Sequence, residues 1–252
     1  MDEWVVWAAF ALLIVISLIV GSIRGGRNHR AFIKLADQHG YAYHPFDKTT
    51  VHSNQTKNES VDVRDRLMRF SAFRGQADSI PVTSVYEGLK PLGFHLFSQG
   101  MSHRVTYVFE LPFEGGEMKI FQFYFSTHGR PQKRRFHHHV VTIEGNDLPQ
   151  RSFFARRRLF LTKRQNKVGG IEFDMSPEFT DKFKVTGKPE EEIKMLFTPL
   201  VVDWFYQLPD SSYRVETKPH RVLIYGRGKL TPDRFHQLKE MGEGLHALLS
   251  TH

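Results

Sequence analysis

The chain contains no cysteine. That absence excludes a disulfide scaffold, a thiol nucleophile, an iron–sulfur cluster and a zinc site with thiolate ligands. The usual local signatures of catalysis are missing too: there is no HExxH, no GxSxG and no GxGxxG behind a strand pattern. A phosphate loop is incomplete, because Gly228-Lys229 is followed by Leu230 and lacks the upstream glycine at the required distance. Gly226-Arg227-Gly228 reads instead as the turn between a strand and a capped helix. Acidic residues are outnumbered, 27 Asp and Glu against 35 Lys and Arg, for a formal net charge of +8. The paired carboxylates Asp62 with Asp65 and Glu114 with Glu117 fall in loop or turn contexts where solvated acids are expected.

What is present is enough for a folded protein. Of the 252 residues 40% are hydrophobic and 22 are Phe, which excludes disordered and low-complexity classes. The length allows one large domain or two small ones.

The strongest single feature runs from Trp4 to Ile23, twenty residues without a charge. At about 1.5 Å per residue a helix of that length crosses about 30 Å of hydrocarbon. A cleaved signal peptide fits less well: the residues ahead of the run are Asp2-Glu3 instead of basic, and Gly21-Ser22-Ile23-Arg24 is a poor cleavage site. Trp4 and Trp7 suit an interfacial belt. No Lys or Arg precedes the run, whereas Arg24, Arg27, Arg30 and Lys34 follow it. In a bacterial inner membrane the positive-inside rule then predicts a single-pass protein with its N-terminus outside and its C-terminal domain in the cytoplasm.

Beyond this anchor (residues 1–23), residues 24–46 read as a juxtamembrane helix and short strand, and 47–252 as a cytoplasmic α+β domain. Ala31, Phe32, Leu35 and Ala36 have helical spacing within Asn28 to His39, Gly40 is a stop, and Tyr41 to Tyr43 is a brief strand. Asp47 to Asp65 is polar and predicts a surface loop. Strand alternation follows at Leu67 to Arg74, Arg104 to Leu111, Lys119 to Phe125 and His138 to Glu144, with a hairpin turn at Pro112 to Gly116. Ser176-Pro177-Glu178 opens a short helix that ends before Phe183. A longer helix starts after Pro189 on three carboxylates, Glu190 to Glu192, and carries Ile193, Leu196, Phe197, Leu200, Trp204 and Leu208 on one face, with a kink at Pro199. Two more strands, Tyr213 to Glu216 and Arg221 to Tyr225, precede a last helix capped by Thr231 with Phe235, Leu238, Leu245 and Leu249 inward. The predicted fold class is α+β: a transmembrane helix, then a mainly antiparallel sheet with C-terminal helices packed on it.

Two clusters invite a functional reading. In His137-His138-His139 the outer two share a strand face and suit one metal ion, with His103 and His128 the nearest further ligands, but carboxylates are scarce and a histidine-bearing strand explains the run better. No catalytic, cofactor-binding or metal-ligating residue is therefore assigned. The second cluster is a charge run: residues 127–170 hold 11 Lys and Arg against two acids, a net of +9, while residues 1–23 contribute −2, 24–126 contribute +3 and 171–252 contribute −2. Arg134, Arg135, Arg156, Arg157, Arg158, Lys163 and Arg164 are the candidate contacts to an anionic surface. On the cytoplasmic side that surface is lipid headgroups, each cation contributing about 1 kcal/mol near the membrane. The competing reading is a solvated sheet edge, and nucleic acid is disfavoured because no RRM, KH or helix-turn-helix pattern accompanies the charge.

Three stretches, FIKLADQHGYAYHPFD (Phe32 to Asp47), GIEFDMSPEFTDKFKVTG (Gly170 to Gly187) and LIYGRGKLTPDRF (Leu223 to Phe235), together resemble a family of bacterial single-pass membrane-anchored proteins of uncharacterised activity. The resemblance implies a shared fold and membrane attachment and carries over no catalytic residue. Taken with the charge layout, it leads to the expectation of a binding or scaffolding module at the membrane face whose partners are the bilayer and anionic headgroups, besides a protein partner the sequence does not identify. The alternative is an enzyme acting on a membrane-associated or anionic substrate with histidines as its acid–base groups, and convergence of His103, His128, His137 and His139 decides between them.

Overall fold

The computed structural model describes Trp7 and residues 28–46, 85–113, 116–127, 134–158 and 170–250. Apart from Trp7, the predicted span from Trp4 to Ile23 lies outside the described residues, as do the loop expected over Asp47 to Asp65 and the strand expected over Leu67 to Arg74. Among the described residues no helix is long and apolar enough to cross a membrane.

A helix over residues 28–39 (α1) leads into β1 (Ala42–Phe46). The short helix α2 (Val85–Leu89) and two 3₁₀ turns, Lys90–Leu92 and His95–Ser98, precede three long strands, β2 (Met101–Phe113), β3 (Gly116–Thr127) and β4 (Arg134–Gly145). Next come β5 (Ser152–Arg157), α3 (Pro177–Lys182), β6 (Phe183–Lys188), α4 (Glu190–Leu196), α5 (Pro199–Tyr206), β7 (Arg214–Lys218), β8 (Arg221–Arg227) and α6 (Pro232–Leu249). The described strands make one eight-stranded sheet in the order β1-β2-β3-β4-β8-β7-β5-β6, antiparallel at every pairing. The fold is α+β, as the sequence predicts.

Period-two alternation divides each strand between two buried faces. One face packs Phe109, Ile120, Val141, Ile143, Val185, Val215 and Ile224 against α1, α5 and α6. The other packs Val105, Phe121, Phe123, Val140 and Tyr225 beneath the segment 85–98, which brings Val85, Tyr86, Leu89, Phe94, Leu96 and Phe97. Helix α1 belongs to the same packed unit as the sheet, since Phe32, Leu35 and Ala36 lie in the first core and β1 pairs with β2. Helix α6 lies close on the sheet at Gly242, where a Cβ would meet Met118, Val141 and Ile143 at 3.1–3.3 Å.

One expectation needs correction. Pro199 does not kink a helix; it starts a new one, because Thr198 is extended and its hydroxyl accepts from Val201 N at 3.4 Å. Leu200 is consequently exposed, at 65%, instead of joining the apolar face. Ahead of α3, Ile171 N donates to Val185 O at 2.8 Å, but residues 171–173 are irregular. The strand that charge hid from pattern reading is β5, inside the basic run.

Candidate functional site

The sheet register places the basic residues. Lys184 on β6 pairs with Arg156 on β5, and Arg156 pairs with Arg214 on β7, so three cations stand side by side in one row. Arg214 pairs in turn with Tyr225 on β8, and its guanidinium lies 6.0 Å from the centroid of that ring. One step further along, Arg227 pairs with His138 on β4. Because Tyr225 and Val140 belong to the second core, all five residues share the face that segment 85–98 covers elsewhere. Lys184, Arg156 and Arg214 are partly exposed and Arg227 is exposed.

Among the described residues the cover stops at the edge of this row. Glu216, 3% exposed and two residues along β7 from Arg214, accepts from His95 N at 2.6 Å, from Leu96 N at 3.3 Å and from the Tyr225 hydroxyl at 2.7 Å. It therefore fixes the 3₁₀ turn His95–Ser98 to the sheet with three donors of its own. Among the described residues no carboxylate forms an ion pair with Arg156, Arg214 or Arg227. Like charges directly opposite on adjacent strands repel, so the row is held by the packing beneath it.

The remaining sequence candidates disperse. Arg157 points to the opposite face, 5.5 Å from the centroid of Phe183. Arg158 Nε donates to the carbonyls of Thr180 at 2.9 Å and Phe183 at 3.0 Å, closing the C-terminal end of α3. Arg134 and Arg135 are exposed at the start of β4. Lys163 and Arg164 lie outside the described residues. Of the five that are described, Arg156 alone joins the row, and its neighbours Lys184, Arg214 and Arg227 come from a part of the chain whose net charge is −2. The register of β5 with β6 and β7 would have shown them, but β5 offers little alternation to read.

The histidines separate in the same way. His139 and His137 face the first core, whereas His138 and His103 face the second. His128 lies outside the described residues. His103 is held by the Tyr86 hydroxyl at Nδ1 and the Gln99 carbonyl at Nε2, both at 2.7 Å. His139 Nδ1 meets Arg234 Nη1 at 3.0 Å and its Nε2 meets the Tyr213 hydroxyl at 3.0 Å. Arginine only donates, so His139 is neutral with its proton on Nε2, and the Tyr213 hydroxyl donates onward to Gln237 Oε1 at 3.1 Å. Burial and the Arg234 charge lower its pKa to about 4. Burial, with Arg214 and Arg227 adding to it, lowers that of His138 to about 3. Among the described residues no three His, Asp or Glu side chains could hold a metal ion together, and the described histidines among His103, His128, His137 and His139 do not converge.

A cavity of about 210 Å³ opens on the second face away from the row, between α2 and the sheet, lined by Val85, Leu89, Lys119, Thr142, Glu144 and Arg221 among others. Its charges are already paired: Lys119 with Glu117 at 3.0 Å and Glu110 at 3.4 Å, Arg221 with Glu144 at 2.5 Å.

No protein-family model matches the chain, and no curated protein matches it. Among solved structures, the crystal structure of the mycobacterial trehalose monomycolate transport factor A, TtfA, is similar to it at 12% identity and a TM-score of 0.49, covering 89% of this chain and 95% of that one.

Proposed function

We propose that the protein is a single-pass inner-membrane protein, anchored by Trp4 to Ile23, whose cytoplasmic α+β domain is a binding or scaffolding module at the membrane face. The observation that carries this reading is the row Lys184–Arg156–Arg214 with Arg227 beside it, on a part of the sheet face that the described segment 85–98 does not cover. A domain whose other regions nearly cancel in charge keeps these cations adjacent against their mutual repulsion, an arrangement an anionic surface relieves. The uncharged twenty-residue run and the Lys and Arg that follow it support the anchor and its direction. The resemblance to membrane-anchored bacterial proteins agrees with both.

The direction is tested by fusing to the C-terminus of the full chain a reporter that is active only in the cytoplasm. An active reporter is expected, and activity confined to an external reporter contradicts the topology.

A further inference from the structure

We infer that Arg156, Arg214 and Arg227, flanked by Lys184 and His138, form a recognition site for a phosphate group, that of a phosphomonoester lipid headgroup or free phosphate. This deepens the membrane-face reading and rests on it for the lipid source alone. Arg156 and Arg214 are direct cross-strand partners, about 5 Å apart at the backbone, and Arg227 lies on the same face two residues beyond Tyr225, the partner of Arg214, so three long cationic side chains stand around one end of this face. Guanidinium forks match phosphate oxygens bidentately and keep their charge under all conditions a cell meets. Packing restrains the cluster: Arg214 lies over Tyr225, itself fully buried, and Tyr225 is tied to Glu216.

His138 supplies the second observation. It is 5% exposed, stacks on Phe125 at 5.6 Å and is the direct cross-strand partner of Arg227. Its Nδ1 is buried with no hydrogen-bond partner. An unpaired lone pair is less costly to bury than an unpaired N–H, which places the proton of the neutral ring on Nε2. That N–H makes no hydrogen bond within the described protein and is the donor left for a ligand. Beside two arginines the ring stays neutral, so it offers a hydrogen bond without a further charge. Three guanidiniums, whose charge more than balances a dianion, and one neutral donor form a set suited to phosphate. They suit a single carboxylate less well, because it has two oxygens to share.

The test uses the full-length protein in a neutral detergent, titrated with inorganic phosphate by calorimetry. Saturable binding is expected, weakened about tenfold or more by Arg156→Gln and by Arg214→Gln and unchanged by Arg221→Gln, whose guanidinium is paired with Glu144. Thermal melts accompany the titration: phosphate raises the melting temperature of the native protein but not of Arg156→Gln, which itself melts no lower than the native chain. No saturable heat, or equal affinity in Arg156→Gln and the native protein, overturns the site. Nanodiscs separate the two sources. Phosphate binding together with engagement of phosphatidic acid discs over phosphatidylcholine discs supports a lipid ligand. Phosphate binding with no difference between discs upholds the site and overturns the membrane-face reading. Engagement of anionic discs without phosphate affinity overturns the site and leaves that reading standing.

Discussion

His139 sits between an obligatory donor, Arg234, and the Tyr213 hydroxyl, while His138 keeps a sealed nitrogen beside Arg214 and Arg227. Both rings are harder to protonate in the folded chain than in the unfolded one, where they titrate near 6.5. The unfolded state therefore takes up protons first as pH falls. The stability tied to these rings is complete above pH 6.5 and declines as pH drops toward about 4 for His139 and about 3 for His138. The charges bearing on them are Arg214 and Arg227, with His139 and His137, for His138, and Arg234 and Asp210 for His139. At about 1.4 kcal/mol per pKa unit the loss is on the order of a few kcal/mol. Urea melts at about pH 7 and about pH 5 read it as a lower midpoint at the acid end, and an unchanged midpoint contradicts the assignment. Glu216 gives a second expectation at this scale. Glu216→Ala leaves His95 N, Leu96 N and the Tyr225 hydroxyl without their acceptor, a loss of about 3 kcal/mol or more that a urea denaturation curve measures directly.

At the scale of elements, close approach and capping set the geometry. Gly242 lets α6 lie against β3 and β4, with Met118, Val141 and Ile143 within 3.3 Å of where a Cβ would stand. Gly242→Val forces the helix outward and is expected to lower stability by about 1–3 kcal/mol, seen as a reduced melting temperature. Removing the cap with Thr198→Ala is expected to cost about 1 kcal/mol by the same measurement, leaving α4 and α5 separate because Pro199 still starts the second helix. Elements with strong punctuation were legible in the sequence. Thr231-Pro232 marks the start of α6, whose Phe235, Leu238, Leu245 and Leu249 are fully buried, and β2 and β3, on either side of the expected hairpin, pair up to Phe113 and Gly116. Pro199 misleads because helical periodicity continues across it from Ile193 to Leu208; only the extended Thr198 reveals two helices. Strand β5 was hidden because SFFARR alternates weakly, with Phe154 beside the buried Phe153 and Arg157 on the same face as Phe153.

For the whole molecule, the distinction that matters is between charge along the chain and charge in space. The run of +9 over residues 127–170 is real, yet folding sends Arg157 to one face, commits Arg158 to the end of α3 and leaves Arg156 to meet cations from β6, β7 and β8. No window over the sequence could show that juxtaposition, since it arises from pairings between residues 28 and 58 positions apart. Relieving the repulsion should stabilise the free protein: Arg156→Gln is expected to raise the melting temperature slightly, by about 0.2–1 kcal/mol in stability, and less so in high salt. A fall in the melting temperature would mean that Arg156 holds the fold together and is not a strained surface cation.

The central claim is that this open, cationic end of the sheet meets anionic headgroups. It is tested most directly by reconstituting the full chain in nanodiscs with a photo-crosslinker carried on the headgroup and mapping the adducts by mass spectrometry. The account predicts adducts on β5, β6 and β7 around Arg156, Lys184 and Arg214 in phosphatidic acid discs, absent from phosphatidylcholine discs and from an Arg156→Gln, Arg214→Gln variant. Adducts spread equally over the sheet, or unchanged in that variant, contradict it.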